Sequence, residues 1–225
     1  ATIRLKSYRW SDGTPVTSRD IEFWMNLLLA NKSQWVTYTP GDWLDFISTL
    51  SYPNPTTFRI TFARAYSHVW LLGNALSEIT PIPQHAWDRT STRGAVGNYD
   101  RTPAGARAVF AFLDRQSKSR TTWDTDPLWQ VVDGPFRLEP GDGFDATTGF
   151  TILVPNRGYS GPVKPTLSRV EEVPFTSDTA ELDSLLAGRI DYGYLPFTDV
   201  TLRARLQHQG SRVEPWLDWG ITVAM

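Results

Sequence analysis

Trp10-Ser11-Asp12-Gly13-Thr14-Pro15-Val16-Thr17, followed by Asp20, reads as a turn that feeds a helix. Asp12-Gly13 can supply the positive φ that a tight turn requires. Thr17 stands where an N-cap belongs, and Asp20, three residues on, can return its carboxylate to the cap backbone, the reciprocal arrangement of a capping box. Ile21, Trp24 and Leu28 then recur at helical spacing, so an amphipathic helix is expected from about 17 to 30.

Upstream, residues 2–6 alternate like a strand and no initiator Met precedes them, so the sequence reads as starting inside a fold. Downstream, 33–45 is polar and aromatic, with Trp35, Tyr38 and Trp43, and reads as an exposed aromatic loop rather than core. A turn is expected at Tyr52-Pro53-Asn54-Pro55. The strict alternation of 57–62 then predicts a half-buried strand with Phe58, Ile60 and Phe62 on one face. Val69, Leu72 and Leu76 predict a helix over 66–77, ended by Pro81-Ile82-Pro83. Thr102 and Pro103 mark the cap and first position of another helix, running to about 117 with Ala106, Val109, Phe110 and Leu113 on one face.

Beyond a polar stretch at 117–122 the pattern changes to strands at 136–138, 150–154 and 170–175. Ser177 caps a helix carrying Leu182, Leu185 and Leu186, Gly188 closes it, and 190–195 alternates. That order predicts a βαβ unit with parallel strands. A last helix is expected at 199–207, ending at Gly210, with strand pattern over 212–225. The best internal boundary falls at 120–128, giving units 1–125 and 126–225.

Composition narrows the function. The chain has 225 residues, 22 Lys and Arg against 24 Asp and Glu, no Cys and ten Trp. Dispersed positive charge gives no basic face for nucleic acid. The longest apolar run, near 23–30, is far shorter than the ~20 residues of a membrane span. Without Cys there are no disulfides and no thiol chemistry, and His68, His85 and His208 lack metal-site spacing. No Gly-x-Ser-x-Gly elbow occurs, Asp42 with Asp45 and Glu171 with Glu172 read as solvated charge, and Gly141-Asp142-Gly143 reads as a hairpin turn rather than a phosphate cradle. The residues therefore point to no cofactor, no metal and no enzyme. The Trp excess suits aromatic platforms for amphipathic ligands as well as core.

Four segments in order carry a resemblance. They are 10–17 with Asp20, then Asp133-Gly134-Pro135-Phe136-Arg137-Leu138, then Val154-Pro155-Asn156-Arg157-Gly158-Tyr159-Ser160-Gly161 with Lys164-Pro165, and then Leu185-Leu186-Ala187-Gly188-Arg189-Ile190-Asp191. Together they resemble the family 5 extracellular solute-binding proteins, the peptide, nickel and related receptors of ABC importers. Asp133 stands where that family usually has Thr or Asn, and Ser160 where it usually has Trp.

The resemblance implies an α/β, periplasmic-binding-protein-like (type II) lobe with mixed sheets, incomplete and with its second lobe absent. Residues 1–125 would be the inserted subdomain of lobe one and 126–225 part of that lobe. It further implies a monomeric receptor that captures a short peptide or other small solute between two lobes. The receptor would deliver it to a membrane permease from the extracellular face or periplasm, lipid-anchored at full length. A ligand-sensing domain of a transcriptional regulator is an alternative within the same family, and a hydrolase resting on scattered carboxylates is a third reading. Ligand contacts are expected from Trp35, Tyr38 and Trp43 in the aromatic loop, Asp133 and Gly134 where the strand starts, Tyr192 and Tyr194 after the helix, and Trp219. The Asp-Gly step further predicts a positive φ at Gly134.

Overall fold

The computed structural model describes residues 1–194 and 200–214. The chain divides into two compact units, Ala1–Val173 and Pro174–Met225. The break in packing thus falls at 173/174 rather than near 125.

In the first unit, β1 (Thr2–Arg4) and β2 (Ile47–Asn54) flank β3 (Thr57–Phe62) in an antiparallel sheet of order β1-β3-β2. Phe58 and Ile60 are buried and Arg59 and Thr61 exposed, as the alternation of β3 predicts. β2 is the strand that sequence does not show. It holds Pro53 and has two register shifts against β3, and it survives because it is an edge strand, where a missing N–H breaks no ladder. Asn54 closes the hairpin by accepting the Thr56 amide at 3.0 Å.

α1 (Ser18–Ala30) starts on the expected capping box: the Thr17 amide donates to Asp20 Oδ2 at 2.8 Å, and Thr17 Oγ1 accepts from Arg19 at 3.2 Å. Buried Asp20 works twice, since its Oδ1 also accepts the Gln84 amide at the start of the short helix α3 (Gln84–Trp87), after the helical turn α2 (His68–Trp70). One face of α1, with Ile21, Trp24, Met25 and Leu28, packs with Trp43, Leu44, Phe58, Ile60 and Ala75. Another, Phe23 and Leu27, packs on Ala106 and Val109 of α4 (Pro103–Ser117), whose Thr102 cap accepts the Gly105 amide at 3.1 Å. With two faces buried, the third carries the polar stripe Arg19, Glu22 and Asn26. Arg19 pairs with buried Asp100 and reaches Asp88 at 3.5 Å, while Asn26 donates to Asp100 at 2.8 Å.

The expected helix over 66–77 is different in kind. α2 passes into a π-helical turn, Leu71–Ala75, which rotates the register so that Ala75 is buried while Val69 and Leu72 face solvent. Trp70 stacks on Tyr66 at 4.8 Å.

A second sheet, order β4-β5-β6, joins β4 (Phe136–Leu138), β5 (Thr151–Pro155) and β6 (Val170–Glu172), all antiparallel. The α/β class stands, but both described sheets are antiparallel rather than mixed. In the second unit, Ser177 caps α5 (Asp178–Leu186), accepting the Ala180 amide at 3.3 Å, and Gly188 leaves it at φ 66°. Residues 190–194 form no strand, so the parallel βαβ crossover is not found among the described residues; an alternating segment needs a neighbour for its backbone groups, and none pairs with it there. α6 (Val200–His208) follows, with Gly210 at φ 89° beyond it. No helix of the described residues is long and apolar enough to cross a membrane.

Candidate functional site

Three of the segments quoted above meet in space. Ser11 donates its amide to Val132 O at 2.7 Å and its hydroxyl to Gln130 O at 2.9 Å, tying the 10–15 turn to the chain just before Asp133. Asn156 substitutes for backbone: its amide donates to Pro135 O at 2.8 Å, its Nδ2 to Gly134 O at 2.9 Å, and its Oδ1 accepts the Gly158 amide at 2.9 Å. A Cβ on Gly158 would stand 2.8 Å from the Ser11 carbonyl oxygen, so the close approach of the two loops requires glycine there. The Ser160 hydroxyl accepts the Arg9 amide at 2.8 Å, a bond the aromatic residue more usual at that place could not accept.

On this junction Asp12 accepts the Thr14 amide at 2.9 Å and meets His85 Nε2 at 2.7 Å, with the Trp10 ring 6.2 Å from the imidazole. Partial burial would raise the Asp12 carboxyl, but the Thr14 and His85 bonds outweigh it and hold the group below its ordinary value. Asp133 differs. It is half-buried and makes no ion pair among the described residues, and burial, with the nearby Asp20 charge, pushes its carboxyl up. Two buried polar atoms of these segments, Trp10 Nε1 and Arg137 Nε, lack a hydrogen-bond partner among the described residues.

Gly134 corrects the expectation made for it. It is not among the glycines of positive φ, and an added Cβ would meet only Phe136 O, at an ordinary 3.7 Å. Gly134→Ala should therefore change unfolding free energy by no more than about 0.5 kcal/mol. A thermal melt of the variant checks it, and a loss above about 1 kcal/mol would show a backbone demand that the structure does not contain.

The aromatic loop is less exposed than its composition suggests. Trp43 is 2% exposed, lies in the core and donates its indole N–H to Glu78 at 3.1 Å. Tyr38 is half-buried; its hydroxyl lies 3.0 Å from an Asp45 carboxylate that also pairs with Lys32 at 2.7 Å. Trp35 is half-buried edge-on to Trp24, and it walls a cavity of about 300 Å³ with Trp24, Leu28, Thr37, Leu44, Glu78 and Thr80. The sequence reading found Trp35 but not its neighbours, which come from segments up to some fifty residues apart with no shared motif. Of the rest, Tyr192 and Tyr194 are 80% and 61% exposed, the Tyr194 amide donating to Glu181 at 2.6 Å, so neither is core. Trp219 lies outside the described residues. The three aromatic-loop residues and the Asp133-Gly134 step both belong to the first unit, whereas the two tyrosines belong to the second. No group of three or more potential metal ligands occurs among the described residues.

The fold is thus that of an α/β binding-protein lobe, and the sequence agrees. Residues 1–215 match the family model described as bacterial extracellular solute-binding proteins, family 5 Middle, and the chain belongs to that family. Among solved structures it is similar to an oligopeptide-binding protein, OppA, at 19% identity and TM-score 0.63 over 92% of this chain and 33% of that one. A periplasmic EDTA-binding protein, EppA, gives 20% identity and TM-score 0.61 over 93% and 34%. The oligopeptide-binding protein AppA from Bacillus subtilis, in complex with a nonapeptide, gives 15% and 0.59 over 89% and 33%. At such identity the likeness is one of fold. The chain spans about a third of the length of these proteins. No curated protein matches it.

Proposed function

We propose that this chain is one wall of a solute receptor. A protein of its relatives' length would close two lobes on a short peptide or similar small solute and deliver it to the permease of an ABC importer. It would work without catalysis, as a lipid-anchored monomer at the extracellular face of the membrane or in the periplasm. Family membership over 1–215 carries this reading. The junction of 10–15, 133–135 and 156–160 adds to it: a half-buried carboxylate, Asp133, without an ionic partner among the described residues suits a positively charged group of a ligand, such as a peptide amino group. Tyr192 and Tyr194, exposed and aromatic, are proposed as contacts, as is Trp219; Trp35 and Tyr38 are kept as contacts at the aromatic loop, and Trp43 acts from beneath it as packing.

Calorimetry tests the reading. Small-ligand sites bury roughly 70–90% of their ligand, so one wall alone should lose most of the affinity. A peptide bound at about micromolar Kd by the protein of full length should bind these 225 residues at about millimolar or weaker. Equal, tight binding by the chain alone would place the complete site here and overturn the two-walled reading.

A further inference from the structure

The cavity behind Trp35 is built unlike the 133–135 junction. Its floor is apolar and deeply buried: Trp24, Leu28 and Leu44 are each 5% exposed or less. Its rim is polar and solvent-facing, with the hydroxyls of Thr37 and Thr80 and the carboxylate of Glu78. Glu78 uses one oxygen, Oε2, to accept the Trp43 indole N–H, which fixes the side chain at the mouth, and no cation pairs with it among the described residues. At about 300 Å³ the space sits at the small end of ligand sites, enough for one ring or a short branched chain.

We propose that this cavity is a binding site for a small primary ammonium compound carrying a single apolar body, an arylalkylamine or branched alkylamine. The apolar part would lie on Trp24, Leu28 and Leu44, with Trp35 as an aromatic side wall. The ammonium would stay at the wet rim, donating to Glu78 and the threonine hydroxyls. An anionic analogue would meet the Glu78 charge, and a neutral one would forgo the ion pair. Every lining residue belongs to the first unit, so the site needs no second lobe; it shares Trp35 with the contacts proposed above, and a small amine can be tested on this chain whether or not the receptor reading holds.

The test uses the 225-residue chain and three probes of one shape: phenethylamine, 2-phenylethanol and 3-phenylpropionate. Binding is followed by calorimetry and by indole N–H resonances in ¹H–¹⁵N spectra, assigned through Trp24→Phe and Trp35→Phe. Phenethylamine should bind saturably, about three- to fivefold tighter than the alcohol, with the acid weaker still, and should shift the Trp24 and Trp35 signals. Glu78→Gln keeps an acceptor for Trp43 and removes the charge, so it should bring amine and alcohol to within about twofold. Thr37→Trp, a change at the exposed rim, should block all three probes while the fold is retained. Absence of saturable binding, the same affinity for all three probes, or shifts confined to other tryptophans would overturn the proposal.

Discussion

Replacing Arg19 with methionine is expected to lower the unfolding free energy by about 3–5 kcal/mol, because it leaves two buried carboxylates without their cation. Asp88 and Asp100 are almost fully buried, and Arg19 is the cation that reaches both. Burial opposes ionisation of Asp100, but the Arg19 and Asn26 bonds outweigh it and hold that carboxyl below its ordinary 3.8. Burial raises Asp88, and the neighbouring Asp100 raises it further. Arg19 thus favours the charge on Asp100, while burial and that same charge oppose the one on Asp88.

The signs on the pH axis follow. Asp100 stabilises the fold at pH above its unfolded-state value, and that contribution is lost as pH falls through its lower folded value. Asp88 acts oppositely: its contribution is complete below the unfolded-state value and is lost as pH rises through its raised folded value. Asp88→Asn, which keeps an oxygen for Gln84, should remove the decline on the alkaline side of pH 4 while Arg19→Met collapses stability at neutral pH. Urea unfolding between pH 3 and 8 reads both. A loss below about 1 kcal/mol for Arg19→Met at pH 7 would mean the network is solvated.

Trp43→Ala should cost a further large amount, about 3–5 kcal/mol, from deleting a fully packed indole in the main core. Phe62 meets Trp43 edge-on at 6.4 Å and Glu78 accepts its N–H, so truncation empties a space lined by several segments and removes that hydrogen bond. Trp43→Phe, which keeps most of the volume, should recover more than half of the loss. If Trp43→Ala instead melted like wild type and reduced only ligand affinity, Trp43 would be a ligand wall, as its loop position suggests from sequence.

That contrast shows what sequence carries and what it does not. Caps are local, so Thr17 with Asp20, Thr102 with Pro103, and Ser177 announce their helices within four residues, and β3 announces its buried face by period. β2 is hidden because an edge strand can tolerate Pro53 and broken register. Trp43 reads as exposed from sequence because it stands between the polar residues Asp42 and Asp45, yet on the 3-10 turn Trp43–Phe46 its indole turns inward. The 66–77 helix failed through a π-turn, a register change that periodicity does not encode. Arg19 with Asp88 and Asp100 joins residues 69 and 81 positions apart, and nothing local marks such a partnership. The quoted turn motifs were legible as a set, but their reason was not: Ser11, Asn156 and Gly158 hold one another's loops, and only then present Asp133.

The most direct test of the account is hydrogen exchange on the protein at the full length of its relatives, with and without a peptide it binds. The account predicts that ligand slows exchange in 133–135 and in the loop around Trp35 and Tyr38, while the amides of β3 and α1, already protected by the core, stay as they were. Ligand protection confined to segments outside these 225 residues would contradict the claim that this chain forms one wall of the site.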